Sequence, residues 1–188
     1  SIPVTRTGVQ HLLRTLDLDD TMPLLLRSMG LSLADHYWIR PQGSEVRWGD
    51  VNFFVNGFSD DVGNLLFGND IQAGEIDLTS PDNTSEGMLM KRWKIVDGRR
   101  CLIKTGELPY RQEAYNEKAA CILAERMGIP HVEYDVIEYD GVVCSICDGF
   151  IDEDTELVSA HQISRSEIHE PGVPLYDRLV SCCLHHGL

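Results

Sequence analysis

An apolar strand that runs into a lysine is the first feature of this sequence that could do chemistry. Within "RWKIVDGRRCLIKTG", residues 92–106, the apolar letters "CLI" lead directly into Lys104. Lysine is costly to bury without a partner, so its ammonium should either face water or meet an anion. A later stretch carries two carboxylates, Glu113 and Glu117, that could meet it. The residue types leave an ordinary surface ion pair and an anion-binding site as open alternatives.

Six cysteines are the other reactive side chains. They are too sparse for a disulfide scaffold in a chain of 188 residues, so we predict mostly reduced core residues. Cys144 and Cys147 form a C-x-x-C, but "VVCSICDGF" is typical of a strand, where positions three apart point to opposite faces. On a final helix, Cys182 would share a face only with His185 or His186, and two ligands do not close a tetrahedral site. The spacing therefore favours packing over metal binding.

The overall composition argues against several functional classes. A hydrophobic share of 43% and a charged share of 24% are typical of a globular protein. The net charge is −14 and no cluster of Lys and Arg occurs, so we expect no direct nucleic-acid binding. The longest apolar runs, such as residues 22–26, are too short to span a bilayer, and no basic-then-apolar leader pattern is present. These features predict a cytoplasmic protein with no membrane association.

The first third of the sequence is predicted to be mainly helical. "TRTGVQHLLRTL" and "DDTMPLLLRSMG" have helical apolar spacing, and the second carries Pro23 in its first turn and Gly30 as its stop. Residues 31–58 are richer in aromatic rings than in periodicity, which predicts an irregular segment pinned by those rings. Ser59 could cap a further short helix.

The sequence after residue 87 is predicted to form two β-hairpins separated by a helix. Asp-Gly dipeptides, the preferred type I′ turn, join Met88–Val96 to Arg99–Lys104 and Val132–Tyr139 to Val142–Cys147. The helix spans residues 109–127. The predicted fold class is α+β, with one antiparallel sheet and one packed helix. The chain is predicted to divide into a helical and aromatic-rich extension at 1–79, a sheet unit at 80–154 and a helical segment at 155–188.

Strand and helix periodicity bring the candidate charges together. Alternation puts Leu102 and Lys104 on one face of their strand, and Glu113 and Glu117 share one side of the helix. Either glutamate could therefore meet the lysine of the packed sheet. An exposed pair of this kind contributes only about 0–1 kcal/mol, so a purely structural role remains an alternative at this point.

Several strings of the sequence resemble HipA-like serine/threonine kinases, which are bacterial relatives of the toxin HipA. "CLIK" is similar to the V-A-I-K strand of protein kinases. "WKIVDGRRCLIKTG", "NEKAACILAERMGIPHVEY" and "DGFIDEDTELVSA" resemble the amino-terminal lobe of the HipA-like group. "GLSLADHYWIRP" and "VNFFVNGFSDDVGNLLFG" resemble an extension that precedes this lobe in some bacterial members. The resemblance covers most of the chain.

The resemblance implies an ATP site centred on the strand lysine. Lys104 would bind the α- and β-phosphates and pair with Glu117 on the next helix, with Glu113 as the fallback partner. Leu102 would line the adenine side. ATP and Mg²⁺ are the cofactors implied for the whole kinase.

Two further segments receive roles from the same resemblance. Residues 146–150, with Asp148 and Phe150, fall where such kinases pass into the hinge whose backbone groups bind adenine. "NTSEG", residues 83–87, takes the place of the phosphate-covering loop, although the single glycine Gly87 departs from G-x-G-x-x-G.

The groups that transfer phosphate are absent from this sequence. Neither H-R-D-x-x-x-x-N nor D-F-G occurs, and Asp177-Arg178 is followed by Leu-Val-Ser rather than by a catalytic loop. "LYDRLVSCCLHHGL" resembles the helix that leads into the carboxy-terminal lobe. We therefore expect a fragment that positions ATP, needs that lobe as its partner, and is inactive alone.

The alternative is a non-catalytic interaction module that binds a protein partner through the aromatic extension. Burial of Trp38, Trp48, Phe53 and Phe54 would favour a packing role, whereas an open aromatic patch would favour a partner.

Overall fold

The chain is an α+β structure, as the sequence predicts. A computed structural model describes residues 8–69, 76–85, 87–167 and 172–187. The chain divides into two compact units, Ser1–Asp154 and Thr155–Leu188, so the extension and the sheet fall within one unit.

The elements of the first unit surround one four-stranded antiparallel sheet. Its helices are α1 (Val9–Thr15), α2 (Met22–Arg27), α3 (Trp48–Val51), α4 (Asp61–Leu66) and α5 (Glu113–Met127), with a 3-10 helix at Pro81–Thr84. Its strands are β1 (Lys91–Val96), β2 (Arg99–Thr105), β3 (Tyr134–Tyr139) and β4 (Val142–Asp148), in the order β1-β2-β4-β3.

Both Asp-Gly turns form the predicted hairpins. The backbone φ angles are 49° and 78° at Asp97 and Gly98, and 49° and 73° at Asp140 and Gly141. Positive φ at both central residues is the signature of a type I′ turn, whose twist matches that of the flanking strands. The hairpins pair through β2 and β4, so both belong to a single sheet, as predicted.

Two predicted strands begin too early. β1 starts at Lys91 rather than Met88, because its pairing with β2 begins where Lys91 lies opposite Lys104. β3 starts at Tyr134 rather than Val132. Its first paired residue, Tyr134, lies opposite Cys147 near the end of β4, and beyond β4 the backbone N–H of Gly149 donates to Arg100 O of β2 rather than to β3.

The helix predicted at residues 109–127 also begins later, at Glu113. Arg111 has a φ of 47°, a left-handed conformation that cannot continue into a right-handed helix, and Gln112 is the N-cap. Gly128, with a φ of 66°, ends the helix as predicted. α5 packs on β3, β4 and β2 and so covers the face of the sheet that carries Lys104.

The extension contains two hydrophobic clusters. α1, α2 and α4 pack around the first. The N-cap of α4 is Asp60 and not the predicted Ser59, so this helix begins at Asp61. The second comprises buried Leu31, Leu33, Phe53 and Phe54, with Met29, Trp38, Trp48, Val51, Phe58, Trp93 and Ile151 packed against them. The aromatic rings therefore pack with one another and with β1, and the segment at 31–58 includes the short helix α3 that the sequence did not predict.

A buried arginine ties the extension to the sheet. The Arg92 side chain on β1 is 0% exposed and donates to Asp60 Oδ1 at 2.7 Å, Asn64 Oδ1 at 2.5 Å and Tyr139 OH at 2.9 Å. Its guanidinium also lies 5.9 Å and 5.5 Å from the ring centres of Phe67 and Tyr139. One side chain thus joins α4, β1 and β3.

A second arginine makes a similar connection on the opposite face of the sheet. Arg100 donates from Nε to Phe53 O and from Nη2 to Asn56 O at 2.8 Å. Because both acceptors are backbone carbonyls, the path of the aromatic segment is fixed against β2.

The second unit consists of two helices that pack against each other, α6 (Ala160–Arg165) and α7 (Leu175–His185). The sequence predicts a helical segment at 155–188, which contains both, but no separate helix at α6. The capping box of Ser159 and Gln162 was the available signal. Among the described residues, no helix is long and apolar enough to cross a membrane.

Candidate functional site

Lys104 and Glu117 form the ion pair that the sequence predicts. Lys104 Nζ lies 2.7 Å from Glu117 Oε1, and the two side chains are only 15% and 27% exposed. Lys104 also donates to Tyr134 OH at 2.7 Å. The pair is therefore a partly buried junction between β2, β3 and α5.

Ser145 completes this junction from β4. It lies directly opposite Lys104 in the strand register, and its hydroxyl donates to Glu117 Oε2. Both carboxylate oxygens of Glu117 therefore accept hydrogen bonds from the sheet. We name the four side chains Lys104, Glu117, Tyr134 and Ser145 the lysine network.

Electrostatics favour the charged form of the lysine. Burial by itself lowers the pKa of Lys104, but the hydrogen bonds to Glu117 and Tyr134 outweigh it, so the pKa lies above its usual value. Burial raises the pKa of Tyr134, so its phenol stays neutral and its oxygen accepts a hydrogen bond from the Lys104 ammonium. Lys104 is therefore protonated at neutral pH, with the Glu117 carboxylate as its counter-charge.

The other predicted residues on this side of the sheet take separate positions. Leu102 lies two residues before Lys104 on the same face of β2. The fallback partner Glu113 points toward Gly106 instead. Its Oε2 is buried there and would clash with a β-carbon placed on that glycine. Glu117, and not Glu113, is the partner of the lysine.

The residues predicted for the hinge lie at the end of β4. The Asp148 carboxylate pairs with Arg99 at 2.8 Å and accepts from Cys101 Sγ at 3.3 Å, on the face of the sheet opposite Lys104. The Asp148 carboxylate therefore cannot serve a ligand on the lysine face, whereas Cys147, opposite Leu102, lies on that face. Asp148 and the exposed Phe150 line an open cavity of about 770 Å³, whose walls include Tyr134 of the lysine network.

The segment predicted as a phosphate-covering loop is partly helical. Asn83 and Thr84 belong to the 3-10 helix at Pro81–Thr84, and Asn83 is buried with its Nδ2 donating to Leu78 O at 2.7 Å. Residue 86 of this segment lies outside the described residues. Gly87 is exposed with a φ of 89°. Capping by Ser80 thus folds the first two residues of the segment into a helical turn, and a phosphate-covering role for residues 83–87 stays a prediction.

A second lysine that the sequence analysis missed lies beside this site. Lys91 is directly opposite Lys104 in the register of β1 and β2, so both side chains project from the same face. A β-carbon placed on Gly87 would lie 2.6 Å from Lys91 Nζ, which shows how closely the ammonium approaches the glycine. Hairpin alternation around Asp97-Gly98 was the sequence signal for this pairing. Tyr134 and Ser145 had no such local signal.

The cysteines lie where the strand pattern predicts. Cys144 lies opposite Thr105 and Cys147 lies opposite Leu102, so the two side chains point to opposite faces of β4. None of the six cysteines, all of them in the described part of the chain, is in a disulfide. Within the described part of the chain, no group of three or more His, Cys, Asp or Glu side chains could hold a metal ion.

The buried thiols should resist alkylation. Burial raises the pKa of Cys101 and of Cys144 to about 11, with the Asp148 carboxylate adding to the effect at Cys101. At pH 8 the thiolate fraction is then roughly one in a thousand. A short iodoacetamide pulse at pH 8, read by mass spectrometry, should label the half-buried Cys121 and Cys183 and spare Cys101 and Cys144 until urea is added. Equal labelling of all four in the folded protein would contradict this assignment.

Comparison of the chain with models of known protein families, with curated proteins and with solved structures finds no match.

Proposed function

We propose that this chain supplies the ATP-positioning half of the active site of a bacterial HipA-like serine/threonine kinase. The observation that carries the proposal is the partly buried pair of Lys104 on β2 with Glu117 on the helix that follows it. In protein kinases, a strand lysine binds the α- and β-phosphates and is held by a glutamate of the next helix. The order of strand, helix and hairpin agrees with that arrangement.

The lysine network retains a donor for a phosphate oxygen. An ammonium has three N–H donors, and in the described structure Lys104 uses two of them on Glu117 and Tyr134. Lys91 brings a second positive charge to the same face of the sheet. The chemistry of the donors therefore fits an anionic nucleotide.

The same residues do not fit Mg²⁺. Kinases hold this ion with Asp and Asn side chains, and the only carboxylate in the lysine network, Glu117, is engaged by Lys104 and Ser145. Binding of ATP and transfer of phosphate should consequently be separable.

Titration of the chain with ATP, followed by NMR, tests the proposal. We expect weak binding, with a Kd around a millimolar, which corresponds to about 4 kcal/mol. Lys104→Met should abolish the binding because the phosphates lose their main cation. The matched control is Lys94→Met, since Lys94 is a 31%-exposed lysine that pairs with Asp60 on the face of the sheet opposite Lys104.

Incubation with γ-labelled ATP, Mg²⁺ and a protein substrate should give no phosphate transfer. Equal binding by the parent chain and Lys104→Met would overturn the nucleotide site. Transfer by the parent chain that is lost in Lys104→Met would overturn the proposal that this chain holds only half of the site.

The alternative of an interaction module on the aromatic extension has less support. It required an open patch of rings, whereas Phe53 and Phe54 are buried and Trp38 and Trp48 pack against them. The ligand side of the sheet is therefore the stronger candidate.

A further inference from the structure

The helix that carries Glu117 is held to the sheet with very little apolar burial. Of its fifteen residues, only Ala114 is buried. Leu123 and Met127, which would be natural core residues, are 59% and 69% exposed. Hydrophobic packing alone therefore provides a weak restraint on α5, because a packed helix normally buries a continuous apolar stripe.

Polar contacts supply the missing restraint. Glu117 is bonded through one carboxylate oxygen to Lys104 and through the other to Ser145, and Lys104 is bonded in turn to Tyr134. The remaining ion pair of the helix, between Lys118 and Asp135, spans 3.4 Å and is exposed, so it adds only about 0–1 kcal/mol. The lysine network is the principal attachment of α5 to the sheet.

From this geometry we infer that Tyr134 and Ser145 are positioning residues that keep the Lys104–Glu117 pair closed without help from another protein. The inference rests on the proposed function, in which a closed pair is the ATP-binding arrangement. In many kinases this pair must be assembled by phosphorylation or by repositioning of the helix. Here three adjacent strands provide the assembly themselves, because Tyr134, Ser145 and Lys104 lie on β3, β4 and β2.

The two hydroxyls act on different partners. Loss of the Ser145 hydroxyl leaves one oxygen of Glu117 to water and frees the helix to move. Loss of the Tyr134 hydroxyl removes an acceptor from the Lys104 ammonium, so the pKa of Lys104 should fall toward its usual value. A residue with only a packing role would leave that pKa unchanged.

Hydrogen exchange of the α5 amides tests the inference without any nucleotide. Ser145→Ala, Tyr134→Phe and the double variant should exchange faster over residues 117–127, by about tenfold or more in the double variant, since a hydrogen bond to a charged group is lost at each site. Tyr115→Phe removes an exposed hydroxyl from α5 itself, and Thr105→Val removes a buried hydroxyl that donates only to Gly106 O. Both controls should exchange like the parent chain.

The second measurement is the pKa of Lys104, read from its ¹³Cε shift as the pH rises. We expect a lower value in Tyr134→Phe than in the parent chain and in Tyr115→Phe. Unchanged exchange of α5 together with an unchanged Lys104 pKa would overturn the positioning role, even if ATP binds. Faster exchange and a lowered pKa in a chain that does not bind ATP would instead overturn the proposed function and leave the positioning role standing.

Discussion

Arg92→Ala is expected to lower the free energy of unfolding by about 3–5 kcal/mol, because it removes a fully buried side chain and its hydrogen bonds at the junction of α4 with the sheet, although Lys94 still pairs with Asp60 Oδ2 at 2.8 Å. The fully buried guanidinium bonds Asp60, Asn64 and Tyr139. Its loss opens a cavity between α4 and the sheet and leaves the part-buried Asn64 amide oxygen and Tyr139 phenol without their donor. Urea denaturation followed by tryptophan fluorescence measures the change directly.

Arg99→Ala is the matched control for this experiment. Arg99 lies on β2, is 62% exposed, and pairs with Asp148, which is 54% exposed. An exposed pair of this kind is worth only about 0–1 kcal/mol. Similar losses in the two variants would show that the burial of Arg92 does not stabilise the protein as the contacts imply.

Gly106→Ala is expected to destabilise the protein by about 1–3 kcal/mol, since there is no room for a methyl group. Gly106 follows β2, and a β-carbon there would lie 2.6 Å from Arg111 Cα and even closer to the Glu113 carboxylate. The Arg111 atom that would be contacted belongs to the backbone just before α5, so it cannot rotate away as a side-chain atom could. The start of the helix would have to move, and Glu117 with it.

Gly57→Ala controls for the general effect of replacing glycine. Nothing lies within 4 Å of a β-carbon at Gly57, and its φ is not in the left-handed region. The free energy of unfolding should change by no more than about 0.5 kcal/mol, or rise slightly through the lower entropy of the unfolded chain. Thermal or urea unfolding of both variants decides the point, and equal stability of Gly106→Ala and the parent would refute the close contact.

The parts of the fold that were predictable depend on local signals. Asp97-Gly98 and Asp140-Gly141 determine their turns through the φ angles that the two residues can adopt, so the hairpins follow from four letters of sequence. The stop at Gly128 is equally local. The start of α5 was not predictable, because arginine has no local preference for the left-handed conformation that Arg111 adopts just before the helix.

The candidate site shows the same division. Lys104 and Glu117 could be paired in advance because strand and helix periodicity restrict the faces on which they lie. Tyr134 and Ser145 are ordinary strand residues whose roles appear only when β3 and β4 are placed in register. The burial of Arg92 was harder to predict than the roles of Tyr134 and Ser145. The letters "KRWK" surround it with charge and suggest an exposed strand, whereas its partners come from distant elements.

The contacts of Arg92 join residues that leave the ribosome at widely separated times. Asp60 precedes Arg92 by 32 residues, and Tyr139 follows it by 47. At roughly 5–20 residues per second, the second interval alone lasts several seconds, whereas a hairpin closes in about 1–10 μs. The β1–β2 hairpin can therefore form long before its arginine finds all its acceptors. Although the extension is synthesised first, the contacts that attach it to the sheet through Arg92 are complete only after the β3–β4 hairpin has been made.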